Sequence, residues 1–300
     1  MRQIKVAVTQ MKSRVSSPQN IEAADRLVRS AAKEGAKIIL LQELFEINYI
    51  GQKMLEENIK LATSLEENPA VIHFQRLAAE LDVVIPVSFF EKANRARYNS
   101  LAIIDANGSI LGVYRKSHIP DGEGYSEKFY FNLGDTGFRV WDTKYAKIGC
   151  AICWDQWSPE AARCMALLGA ELLLYPTAIG SEPGSPTIDS MLHWRTAMQG
   201  HAAVNMMPIL ASNRIGDEVC QDSNIVFYGS SFIADERGQI VEQMDRENEG
   251  FVCAEFDLDN LEIERCAWGL FRDRRPDLYS ALLTFDGITP LTDYKQLWTT

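Results

Sequence analysis

Apolar residues recur along the chain with two periods, and the segments that carry them alternate. Residues 4–9 read as a β-run, and Ser17-Pro18 then supplies a helix N-cap with a first-turn proline. Behind it Ile21, Ala24, Leu27, Val28, Ala31 and Ala32 fall at helical spacing, and Gly35 closes the helix before a short buried strand at 37–41. Asn68-Pro69 opens a second helix through Val71, Phe74, Leu77, Ala78 and Leu81. Residues 83–90, 98–105 and 110–114 form a strand series, with Asn107-Gly108 as a hairpin turn. The pattern continues with a strand at 145–153, a helix starting at Ser158-Pro159-Glu160, a continuous apolar strand at 172–175 and a helix at 191–205. Strands at 209–213, 225–234, 240–244 and 251–256 complete it. Antiparallel-looking strands mixed with helix-separated ones predict a layered α/β protein, with helices outside two packed sheets.

Composition narrows the setting. At 300 residues and 46% hydrophobic, the chain can bury a large core, and no linker-like or low-complexity stretch divides it. We therefore expect a single domain over 1–300. No segment approaches the ~20 apolar residues of a membrane span, and no signal-peptide pattern precedes residue 4. Six cysteines are too sparse for a disulfide scaffold, so they are expected as thiols in the cytoplasm. A net charge of −11 argues against a nucleic-acid partner. A GxGxxG or phosphate-loop motif is absent, which removes support for nucleotide binding.

Three residues carry candidate chemistry, each at the carboxyl end of an apolar strand, where α/β proteins gather their sites. In Gly149-Cys150-Ala151-Ile152-Cys153-Trp154-Asp155 a strand runs into a cysteine, and a helix follows. A nucleophile on such a turn is held rigidly, and neighbouring N–H groups can face a developing oxyanion. Glu43 follows a buried strand in Leu40-Leu41-Gln42-Glu43; partial desolvation there would raise its pKa and suit a general base. Lys116, in Tyr114-Arg115-Lys116-Ser117, would set an ammonium beside a carbonyl under attack.

These segments resemble the signatures of the nitrilase, or carbon–nitrogen hydrolase, superfamily. The resemblance runs from about Ile4 to Leu283. It implies a four-layer α-β-β-α sandwich, a Glu43-Lys116-Cys153 triad, no metal or other cofactor, and homo-oligomers built on a dimer. It also implies that Glu127, in Gly124-Tyr125-Ser126-Glu127, orients Lys116, and that the Trp154 backbone N–H meets the oxyanion. The stretches Ser117-His118-Ile119-Pro120-Asp121-Gly122 and Tyr175-Pro176-Thr177-Ala178-Ile179-Gly180-Ser181-Glu182 are similar to the branch acting on carbamoylated amines.

Relatives that act on carbamoyl amino acids place an arginine just after the cysteine, whereas Asp155-Gln156-Trp157 stands here. Glu182, Asp121, Tyr49, Trp157 and Thr177 are therefore the candidates for holding an alkyl-ammonium substrate. An ω-amidase or other aliphatic amidase is the rival enzyme reading. A binding protein that has lost catalysis is the rival outside enzymes. Residues 268–300 are expected to form a tail used in subunit contacts.

Overall fold

A computed structural model describes residues 2–289. The chain divides into a large compact unit, Met1–Leu261, and a small one, Glu262–Thr300. In chain order the large unit begins with β1 (Gln3–Gln10), α1 (Ser17–Lys33), β2 (Ile38–Leu40), α2 (Pro69–Leu81), β3 (Ile85–Ala93), β4 (Ala96–Ile104) and β5 (Ile110–Arg115). It continues through β6 (Val140–Asp142), β7 (Lys147–Cys150), α3 (Pro159–Leu167), β8 (Leu172–Pro176), α4 (Met191–Asn205) and β9 (Ile209–Ser212). A hairpin of β10 (Ile215–Cys220) and β11 (Ser223–Tyr228) follows, then β12 (Phe232–Ala234), β13 (Ile240–Gln243) and β14 (Gly250–Asp257); helix α5 (Leu258–Trp268) only begins in the large unit.

Strands β14-β1-β2 and β3-β4-β5 are joined by a parallel bridge between Ile38 and Val84, giving one continuous sheet. The second sheet runs β13-β12-β9-β8-β7-β6. Side-chain alternation sorts the residues of the first sheet between two cores. Ile38, Leu40, Leu101 and Ile103 point between the sheets, against Ile148, Leu174 and Leu210. Their neighbours Ile39, Leu41, Ala102 and Ile104 point outward onto Ala24, Val28, Phe74 and Ala78 of α1 and α2. On the far side Ala162 and Met165 of α3, with Trp194, Met198 and Ala202 of α4, cover the second sheet. Each buried Val, Leu, Ile, Phe or Met among these contributes roughly 1.5–3 kcal/mol. The result is the α-β-β-α sandwich that the resemblance implied.

The strand expected at 145–153 stops at Cys150, where the parallel pairing with β8 ends. Cys153 has φ +44°, which no strand residue adopts, and it opens a 3₁₀ turn, Cys153–Trp157. The run at 225–234 is likewise two strands, because Gly229 and Ser230 both take positive φ between β11 and β12. Gly229 is required there: a Cβ would lie 2.3 Å from Ile215 Cγ2. Strands β6 and β10 and helix α5 were not anticipated.

In the small unit, the charges of 272–277 pair locally, Arg272 with Asp273 and Arg275 with Asp277. Large apolar side chains there are left open, among them Leu283 and Phe285 at 73% and 92% exposure. Residues 290–300 of the expected tail lie outside the described residues.

Candidate active site

Four loops leave the sheets at one end of the sandwich and bring the expected residues together. Glu43 leaves β2, and Lys116 leaves β5 with its N–H donated to the Asn99 carbonyl of β4. Neither side chain is exposed, at 0% and 1% of the residue surface. Lys116 Nζ donates to Glu43 Oε1 at 2.8 Å and to Glu127 Oε2 at 2.7 Å. Burial works against the ammonium, but Glu127 and then Glu43 more than offset it, so Lys116 stands above the ordinary lysine range.

The two carboxylates differ in what remains free. Glu127 is spent on both sides, its Oε1 accepting the Tyr49 hydroxyl at 2.7 Å. Burial raises its pKa, opposed by Lys116. Glu43 Oε1 also accepts Asn99 Nδ2 at 2.6 Å, while Glu43 Oε2 is buried with no hydrogen-bond partner among the described residues. A buried carboxylate oxygen with an open lone pair is placed to take a proton.

Cys153 is 5% exposed, and its thiol lies 3.8 Å from the Ala178 carbonyl. Burial first, and the Glu43 carboxylate second, push it well above the usual cysteine range, with Lys116 pulling the other way. The resting sulfur is therefore a thiol that needs a base to become a nucleophile. Its positive φ is held by the turn around it. Asp155 Oδ2 accepts the Ile152 N–H at 3.0 Å and the Tyr114 hydroxyl at 2.7 Å. His118 Nδ1 sits 2.7 Å from Asp155 Oδ1, and His201 Nε2 donates to the Gln156 carbonyl at 2.7 Å. Strain of this kind persists only where surroundings over-determine it, and it gathers at functional sites.

Cys153 lies at the foot of a cleft of about 490 Å³. Asp121, Glu123 and Glu182 line it above Glu127, together with Trp154 and Trp157. Among the described residues no lysine or arginine lines it. Trp157 packs against His193 with ring centroids 4.7 Å apart and against Trp154 at 6.2 Å. Glu182 is fixed by Ser190 Oγ, which donates to Oε1 at 3.0 Å.

Two expected binding residues stand behind the cleft wall. The Tyr49 hydroxyl is committed to Glu127, and Thr177 is fully buried, with Oγ1 donating to the Tyr175 carbonyl at 3.2 Å. Asn99 and the Arg214–Glu218 pair were missed. Asn213-Arg214 follows an apolar strand, as Glu43, Lys116 and Cys153 do, and that signal could have found Arg214.

The carbon–nitrogen hydrolase family pattern matches residues 5–263. The chain belongs to that family, hydrolases of amide-type C–N bonds. Among relatives, it is 60% identical to an N-carbamoylputrescine amidase of Arabidopsis thaliana over 272 residues, covering 89% of this chain and 91% of that one. It is 52% identical to a citrullinase of Francisella tularensis over 283 residues, covering 94% and 99%. The crystal structure of a carbon–nitrogen hydrolase from Helicobacter pylori superposes with a TM-score of 0.88 at 38% identity, covering 94% and 99%.

Proposed function

We propose that the protein hydrolyses N-carbamoylputrescine to putrescine, ammonia and carbon dioxide, with Cys153 as nucleophile. The observation that carries this reading is a cysteine beside a buried Glu43–Lys116–Glu127 cluster, at the foot of a cleft lined by Asp121, Glu123 and Glu182 with no lysine or arginine among the described residues. Glu43 Oε2 takes the thiol proton, and the sulfur attacks the carbamoyl carbon. Lys116 and the Trp154 N–H receive the developing oxyanion. Glu43 returns the proton to the leaving nitrogen, and the C–N bond breaks to leave a thioester-like enzyme. Glu43 then draws a proton from water, whose oxygen displaces the sulfur. Glu43 returns that proton to the Cys153 thiolate, and the carbamic acid released breaks down to carbon dioxide and the remaining nitrogen product.

The far end of the substrate sets the choice within the family. An ammonium fits a mouth formed by Glu182, Asp121 and Glu123 with Trp157 beside them. Citrulline carries an α-carboxylate as well, and these side chains would repel it. The test is release of putrescine and ammonia by the purified chain, assayed beside citrulline, N-carbamoyl-β-alanine and a dicarboxylate mono-amide. Turnover of N-carbamoylputrescine lost on iodoacetamide treatment supports the reading; preference for any of the others rejects it.

The same proposal includes a cytoplasmic location, consistent with six free cysteines. Among the described residues no helix is long and apolar enough to cross a membrane. It also includes subunit contacts through residues 268–300, supported by exposed Leu282, Leu283, Phe285 and Ile288. Deleting 268–300 should lower the native mass in solution, and an unchanged mass would remove this part.

A further inference from the structure

Arg214 and Glu218 form an ion pair that the proposed chemistry does not use. Both side chains are buried, and Arg214 Nη1 donates to Glu218 Oε1 at 2.6 Å. A pair this deep returns little net stability after its desolvation cost, so what else it holds is informative. Arg214 Nη2 donates to the carbonyl of Glu43 at 2.8 Å and to that of Leu44 at 3.0 Å. Leu44 stands at φ +45°, a conformation leucine keeps only when clamped, and its N–H is tied to Ser88 Oγ at 2.9 Å. The other Glu218 oxygen accepts the Tyr49 N–H at 2.6 Å.

Following these bonds closes a circuit. Arg214 holds the backbone of Glu43, and Glu218 holds the backbone of Tyr49. The Tyr49 hydroxyl holds Glu127, Glu127 holds Lys116, and Lys116 returns to Glu43. We propose that Arg214 and Glu218 are positioning residues that fix the separation of Glu43 and Glu127 about Lys116. The proposal rests on reading Glu43 as the base that serves Cys153. An arginine suits the task because its rigid planar fork holds several acceptors in one fixed geometry, whereas an ammonium is a point charge on a flexible stem. The guanidinium is also packed 5.2 Å from the Phe227 ring and 5.9 Å from the Tyr49 ring, which holds its plane.

The test is Arg214→Lys in the full chain, which keeps the charge beside Glu218 and loses the fork. Two rates are read: turnover, and alkylation of Cys153 by iodoacetamide followed on the Cys153 peptide by mass spectrometry. A shift on the order of 1 Å in a catalytic group costs about 100-fold. Both kcat and Cys153 alkylation should therefore fall roughly 10- to 100-fold, with KM changed less than about threefold. If Arg214→Lys does not fold, Arg214→Met with Glu218→Gln removes both charges together and is read in the same way. Unchanged alkylation and kcat in a folded variant, or a loss confined to KM, would overturn the proposal. Alkylation needs no substrate. A wild-type chain with a reactive Cys153 that leaves N-carbamoylputrescine intact would reject the substrate alone.

Discussion

The two ends of the cleft are built differently. At the inner end every charged group is buried and tied to another: Glu43 to Lys116 and Glu127 to Tyr49 join residues 73 and 78 apart, and Lys116 to Glu127 links them. At the outer end Asp121 and Glu123 stand exposed on a loop, and Glu182 is half-buried with Ser190 as its side-chain partner. A rigid, desolvated inner end suits bond-breaking, which needs groups fixed before the substrate arrives. A softer acidic outer end suits recognition of a cationic tail, and loops of this kind change without disturbing the sandwich.

The comparison predicts that inner-end substitutions act on kcat and outer-end ones on KM. The largest effect is expected from Cys153→Ala, which should remove all but trace turnover while leaving the thermal transition in place. Cys150→Ala, in the core between the sheets, should keep most activity. Retained turnover in Cys153→Ala would move the nucleophile elsewhere.

Glu43→Gln should lower kcat about 10²- to 10⁴-fold, the usual value of a positioned base. Lys116→Ala should lower it about 10²- to 10³-fold. It should also destabilise the fold by roughly 3–5 kcal/mol, because two buried carboxylates lose their ammonium. Steady-state kinetics and urea unfolding check both. A rise in KM alone would make either residue a binding group.

A smaller effect concerns Glu46, buried three residues after Glu43. Burial raises the Glu46 carboxyl to about 7, against the hydrogen bond from Asn68 Nδ2. The folded state then holds this proton more tightly than the unfolded chain. Stability from Glu46 is complete below about pH 4.5 and is lost as pH rises through 7, by about 3 kcal/mol in total. Glu46→Gln should flatten the fall in Tm between pH 5 and 8, and a parallel fall in both proteins would refute the assignment.

How much was legible follows the same division. The alternation of Ile38-Ile39-Leu40-Leu41 and the helical spacing from Ile21 to Ala32 reflect burial, a local pattern, and both elements formed as expected. Strand ends marked Glu43, Lys116 and Cys153 because apolar runs there meet a polar residue. The turn at Cys153 was hidden, since its φ is imposed by Asp155, Tyr114 and His118 rather than by local propensity. Strand β10 buries the polar Glu218 and exposes Val219, so its sequence shows no apolar-in, polar-out alternation and read as loop. The circuit through Arg214 was illegible for a different reason: it spans 171 residues from Glu43. Tyr49, expected at the ammonium, faces Glu127 because the fold brings residues 78 apart within one hydrogen bond.

The most direct test of the division compares N-carbamoylputrescine with uncharged N-carbamoylbutylamine on wild type and Glu182→Gln. A charge-assisted hydrogen bond is worth about 1.5–3 kcal/mol, so Glu182→Gln should raise KM roughly 10- to 100-fold for the cation alone. Both substrates should keep their kcat within about threefold, as uniform binding loss requires. Equal changes in KM on the two substrates would contradict the account, because Glu182 would then not be reading the ammonium.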